Sequence, residues 1–151
     1  MVERRRRPRT PVPFCVVIFG ASGDLTKRKL VPALSALAAA GSLPKGFTVI
    51  GAARSSMSDD DFRADMRSGV EHYGRVPLRH EVWNEFSAGL RYVTYDMDDP
   101  DGFAHLCAAL QAADRDRGTA GNRLFYFSTP PGAVIPLAAR GRERRDGAAS
   151  R

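Results

Sequence analysis

The residues best placed for chemistry are Gly20-Ala21-Ser22-Gly23-Asp24-Leu25-Thr26-Lys27-Arg28-Lys29. Glycines in this arrangement let the backbone turn sharply and let a phosphate group come close to main-chain amides. The apolar run Phe14 to Phe19 (FCVVIF) precedes the stretch, and a helical pattern follows it. A helix that begins here presents unpaired N–H groups and a partial positive charge to an anion. Lys27 and Lys29 add mobile positive charge at the same mouth. The ligand this pattern suits is the diphosphate of a dinucleotide. The match to the G-x-G-x-x-G fingerprint is incomplete, because Ser22 stands at the middle glycine and Leu25, followed by Thr26, where the third would be. A plain tight turn is the competing reading, but it would need neither two glycines nor flanking lysines. The spacing of a phosphate-binding P-loop is absent.

A second stretch, Gly51-Ala52-Ala53-Arg54-Ser55-Ser56, ends the next short strand pattern. Folds that prefer NAD usually place a carboxylate there for the ribose 2′-hydroxyl. Here no acid occurs before Asp59. A guanidinium beside hydroxyls suits a 2′-phosphate, since Arg is planar, always charged and able to bind two oxygens. NADP is therefore favoured over NAD, against the plainer reading of Arg54 as a solvated loop residue. A third stretch, Asn122 to Pro131 (NRLFYFSTPP), is an aromatic strand stopped by prolines at the edge where such sheets bind ligands.

These motifs need a frame to hold them, and the hydrophobic pattern supplies one. Phe14–Phe19 reads as a strand buried on both faces. Residues 25–40 read as a helix with Leu30, Leu34 and Leu37 on one face, a stop at Gly41 and a kink at Pro32. Phe47–Ala52 is a second strand. Ser58 caps a helix running to about Tyr73, with three aspartates in its first turn. A short helix falls in 77–89 around Trp83 and Phe86. Leu90–Thr94 is a third strand, Asp99–Arg115 a helix and Leu124–Phe127 a fourth strand after a turn over 118–122. Strands alternating with helices imply parallel pairing through right-handed crossovers. The expected fold class is α/β, a Rossmann-type open parallel sheet with helices on both faces, incomplete in strand number.

Composition narrows the function classes. The length suits about one domain, and the hydrophobic fraction of 43% suits an ordinary core. The net charge of +6 lies in the ends. Arg4, Arg5, Arg6, Arg7 and Arg9 crowd the start, and Arg140, Arg142, Arg144, Arg145 and Arg151 the finish, leaving a near-neutral body. The expected organisation is a basic disordered arm over 1–12, a partial nucleotide-binding domain over 13–135 and a disordered basic tail over 136–151. No specific nucleic acid and no membrane is expected as a partner. Cys15 and Cys107 form neither a disulfide framework nor a metal spacing and read as small buried hydrophobes. A reducing, cytoplasmic setting follows by default.

Taken together, GASGDLTKRKL with its helix proline, VIGAARS, LRYVTYDMDDP and NRLFYFSTPP resemble the glucose-6-phosphate dehydrogenase family from about Phe14 to Pro131. The resemblance implies hydride transfer from carbon 1 of glucose 6-phosphate to NADP, giving the 6-phosphogluconolactone, in the oxidative pentose phosphate pathway. It carries the family's cofactor contacts to Gly20, Ala21, Ser22, Gly23, Asp24, Leu25, Thr26, Lys27 and Arg54, and further to Lys29 and Thr129. Full-length members are homo-oligomers. The family's later Glu-Lys-Pro-Phe-Gly segment and its histidine-bearing substrate segment do not occur in this sequence. His72, His80 and His105 stand in no matching context, so no catalytic residue is assigned and no metal is expected. A truncated or frameshifted product, inactive alone, is the expectation. The composition change after Pro131 motivates it. The alternatives are a non-catalytic NADP-binding or redox-sensing module and a polyanion binder acting through the arginine ends.

Overall fold

The computed structural model describes residues 12–96 and 98–128. Strands β1 (Cys15–Phe19), β2 (Thr48–Ala53), β3 (Leu90–Thr94) and β4 (Arg123–Phe127) form one sheet in the order β3-β2-β1-β4. All three pairings are parallel, with Phe19 opposite Ala52 on one side and Phe127 on the other. This order is the first four strands of the doubly wound 3-2-1-4-5-6 arrangement, so the sheet is Rossmann-like. Successive strands are added to one side from β1 to β3, and β4 then returns to the other side of β1.

Each element forms where its residues favour it. Every residue of β1 and β2 is buried, as strands covered on both faces must be. The helix α2 (Asp59–Tyr73) is capped by the Ser58 hydroxyl, which accepts from the Asp61 amide, while Asp59, Asp60 and Asp61 sit in the positive first turn. The helix α3 (His80–Ala88) buries Trp83 and Phe86. The helix α4 (Pro100–Arg117) starts at the Asp99 cap and ends at Gly118 with φ of 72°. Side chains alternate across the sheet. Val16, Ile18, Val49 and Tyr92 face a core filled by Phe62, Met66, Val70, Trp83 and Phe86, whereas Cys15, Val17, Phe19 and Ile50 face Leu106 and Leu110 of α4. Helices therefore cover both faces.

Three expectations are corrected. The first helix is not simply kinked at Pro32. It opens with a π-helical turn, Thr26–Leu30, in which the Val31 amide donates to the Thr26 carbonyl, and then continues as α1 (Val31–Ala39). Widening the turn relieves the crowding between a proline ring and the carbonyl four residues earlier, and places Pro32 where its missing amide is least costly. The π-turn rotates the buried face. Val31, Pro32 and Ser35 point inward, Leu34 and Ala38 pack at the margin, and Leu37 is 45% exposed. Cys15 is fully buried and its thiol is pushed up to about 12 by desolvation, but Cys107 is only half-buried.

At the far edge, β4 has its side chains largely in solvent. Leu124, Phe125 and Tyr126 are 57%, 46% and 39% exposed. Among the described residues no helix is long and apolar enough to cross a membrane, and no cluster of three potential metal ligands occurs. Apart from Val12, the expected basic arm lies outside the described residues, as do Thr129, Pro130, Pro131 and the tail.

Candidate functional site

The turn after β1 sits at the carboxyl edge of the sheet, at the point where strand order reverses. Gly20 has φ of +79°, a conformation in which a side chain is strained, and this lets the chain leave β1 abruptly. The amides of Gly20 and Ala21 both donate to the Ala52 carbonyl, at 2.8 and 3.3 Å, which ties the turn to the end of β2. The Gly23 amide donates to the Gly20 carbonyl at 3.0 Å and closes the turn. These three amides hold the loop in shape. The donors left for an anion come from Ser22 and from the first helical turn, Asp24 to Thr26, whose amides precede any intrahelical carbonyl. Ser22, Gly23, Asp24 and Leu25 are exposed, while Ala21 and Thr26 are fully buried.

Leu25 stands where the fingerprint has its third glycine, and Thr26 follows it at the start of the helix. The Thr26 side chain is fully buried, and its Oγ1 has no hydrogen-bond partner within the described structure. The turn thus carries one unsatisfied hydroxyl.

The basic side chains divide in a way the sequence does not show. Lys27 is no mobile cation at the mouth. Its Nζ lies 2.8 Å from the Asp65 Oδ1 of α2, and the hydrogen bond to that carboxylate raises the ammonium above its ordinary 10.5. Gly69 makes this docking possible, since a Cβ there would stand 2.6 Å from the Lys27 carbonyl oxygen and 2.7 Å from its Cγ. The π-turn therefore rests directly on α2. Arg28 lies over the Tyr73 ring at 5.2 Å and within 3.8 Å of Asp24. Lys29 is exposed and makes no ion pair among the described residues.

Arg54 follows β2 directly and is likewise exposed, without an ion pair among the described residues. Because Ala52 accepts from the Gly20 and Ala21 amides, the guanidinium-bearing loop and the glycine turn leave neighbouring strand ends side by side. On the other flank, the Ser128 amide donates to the Phe19 carbonyl at 2.9 Å and the Phe127 ring stacks on Phe19 at 5.1 Å. The ends of β1 and β4 thus lie side by side at the same edge of the sheet. His72, His80 and His105 are exposed on three different helices. The sequence reading missed Asp65, Gly69 and Tyr92. A glycine inside a helical pattern was the one available signal, since it costs about 1 kcal/mol against alanine and calls for a packing reason.

Comparison with known proteins agrees with this geometry. The model of the family described as "Glucose-6-phosphate dehydrogenase, NAD binding domain" matches residues 17–145. Glucose-6-phosphate 1-dehydrogenase 2 of Mycobacterium bovis is 40% identical over 127 residues, covering 84% of this chain and 25% of that protein. Glucose-6-phosphate 1-dehydrogenase of Chlamydia pneumoniae is 44% identical over 124 residues, or 82% of this chain and 24% of its own length. A solved glucose-6-phosphate dehydrogenase, in complex with its substrate glucose 6-phosphate, superposes with a TM-score of 0.75 at 30% identity over 87% of this chain and 28% of that one. The chain spans about a quarter of the length of these curated relatives. By the extent of the family match and the shared sheet, the chain belongs to the family of the glucose-6-phosphate dehydrogenase NAD-binding domain.

Proposed function

We propose that this chain binds NADP as the nucleotide-binding part of a glucose-6-phosphate 1-dehydrogenase, and that it does not turn over glucose 6-phosphate alone. The observation that carries the reading is the juxtaposition of the Gly20–Gly23 turn with Arg54, two strand ends joined through the Ala52 carbonyl. The residues fit the coenzyme. Gly20 needs its left-handed backbone, and a Cβ at Gly23 would meet the Gly20 carbonyl at 3.2 Å, so the turn closes this tightly because neither position carries a side chain. When bound, NADP supplies the acceptor for the hydride from carbon 1 of the sugar phosphate.

Within this reading, Ser22 and the first-turn amides from Asp24 to Thr26 receive the diphosphate. Gly20, Ala21 and Gly23 shape the turn, and Lys27 anchors it on α2 through Asp65. Exposed Lys29 supplies free charge. Arg54 binds the 2′-phosphate through two N–H donors. Removal of the hydroxyl proton in hydride transfer needs a positioned base, and the three histidines are exposed on three different helices. The cytoplasm is the compartment this reading places it in.

Titration of the full chain with NADPH and NADH by calorimetry or nucleotide fluorescence tests the proposal. NADPH should bind more tightly, and Arg54→Ala should remove the preference with little change for NADH. Equal losses for both coenzymes would take Arg54 out of the 2′-phosphate role. Absence of binding by the folded chain would refute the proposal, and turnover at an ordinary enzymatic rate would refute the inactivity.

A further inference from the structure

We infer that Tyr92 is a positioning residue for coenzyme selection, holding the Arg54 loop in place by two ties from β3. The loop from Arg54 to Ser58 connects β2 to α2 and is exposed over most of its length. A solvent-exposed guanidinium on such a loop gains little from a single phosphate if the backbone beneath it moves, because ordering it then opposes binding. The structure removes that freedom from one side. The Tyr92 hydroxyl donates to the Ser55 carbonyl, immediately after Arg54, and approaches the Ala53 carbonyl immediately before it at 3.3 Å. At the other end of the loop, the Tyr92 amide donates to the Asp59 carboxylate at 2.7 Å. One residue thus grips both ends of the loop from a neighbouring strand.

Tyr92 is itself held firmly. It is 8% exposed, its ring packs on Phe62 at 5.3 Å, and Phe62 is fully buried at the foot of α2. Burial raises the phenol above the ordinary 10.0, so the group is a donor throughout the neutral range. A phenylalanine would fill the same core space without gripping the loop. The hydroxyl is therefore spent on the loop and not on packing. Tyr92 touches no coenzyme in this account and acts only through the backbone on either side of Arg54.

The inference rests on the proposed role of Arg54, and the test separates the two. The full chain and its Tyr92→Phe, Arg54→Ala and doubly substituted forms are titrated with NADPH and NADH. Tyr92→Phe should reduce the preference for NADPH about fivefold, the size of one hydrogen bond, and leave NADH affinity unchanged. Because the effect runs through Arg54, the double variant should be no worse than Arg54→Ala. A merely structural role would weaken both coenzymes together and would add to Arg54→Ala. Either result overturns the inference, as does an unchanged preference. If Arg54→Ala itself leaves the preference intact, the reading of Arg54 fails instead, and the inference falls with it. Hydrogen exchange without nucleotide gives an independent readout. Residues 54–57 should exchange faster in Tyr92→Phe while α4 is unaffected, and unchanged exchange there would also overturn the idea.

Discussion

Gly69→Ala sets two physical effects against each other. In an isolated helix, replacing glycine by alanine stabilises by about 1 kcal/mol. In this fold the added methyl would lie 2.6 Å from the Lys27 carbonyl oxygen and 2.7 Å from the Lys27 Cγ. Ordinary contact begins near ~3.5 Å, so α2 and the π-turn must separate by a large part of an ångström. Overpacking of this kind costs about 1–3 kcal/mol. The oxygen in the way is backbone and cannot swing aside, which places the cost at the upper end. The net expectation is a loss of about 1–2 kcal/mol, or roughly 4–8 °C in Tm for a domain of this size. Thermal unfolding followed by circular dichroism measures it. Nucleotide titration well below Tm should show a matching loss for NADPH and NADH, because the π-turn carries the first-turn amides common to both. A raised or unchanged Tm would refute the argument that the helix touches the turn through bare backbone.

Other consequences are open to measurement. Thr26→Val removes a buried hydroxyl without a partner while keeping its volume, and should raise stability to urea by about 1 kcal/mol; a comparable loss would reveal a partner for Oγ1. Burial pushes the Asp114 carboxyl up, but hydrogen bonds from Thr119, Gly121 and Arg123 outweigh it and hold the group below its ordinary 3.8. A depressed carboxylate adds stability that is present above that value and lost as pH falls through the folded one. Asp114→Asn should therefore flatten the acid limb of a Tm-against-pH profile, and an unaltered limb would contradict this. The exposed apolar side chains of β4, with Leu124 57% exposed at the edge of the described sheet, should drive self-association. Leu124→Lys should lower light scattering at equal concentration, and equal scattering would exonerate the edge.

Much of this molecule is written in short stretches. The buried strand at 15–19, the Ser58 cap with its three aspartates and the Asp99-Pro100 helix start depend on residues within a turn or two of one another, so periodicity and capping locate them. The glycine turn and Arg54 are legible for the same reason, as strand-end positions whose backbone demands are local. Leu37 and Lys27 show where such reading stops. Their types suggested a core leucine and a free cation, yet a π-turn just ahead of Pro32 rotates one outward, and Asp65, far away in sequence, captures the other. Which side chain meets Lys27, why Gly69 must be bare and how Tyr92 reaches Ser55 all depend on how α2 and β3 stack against the first helix and second strand. Those contacts join residues roughly forty positions apart, and no local propensity encodes them. They arise only when the sheet assembles and the apolar faces close on one another.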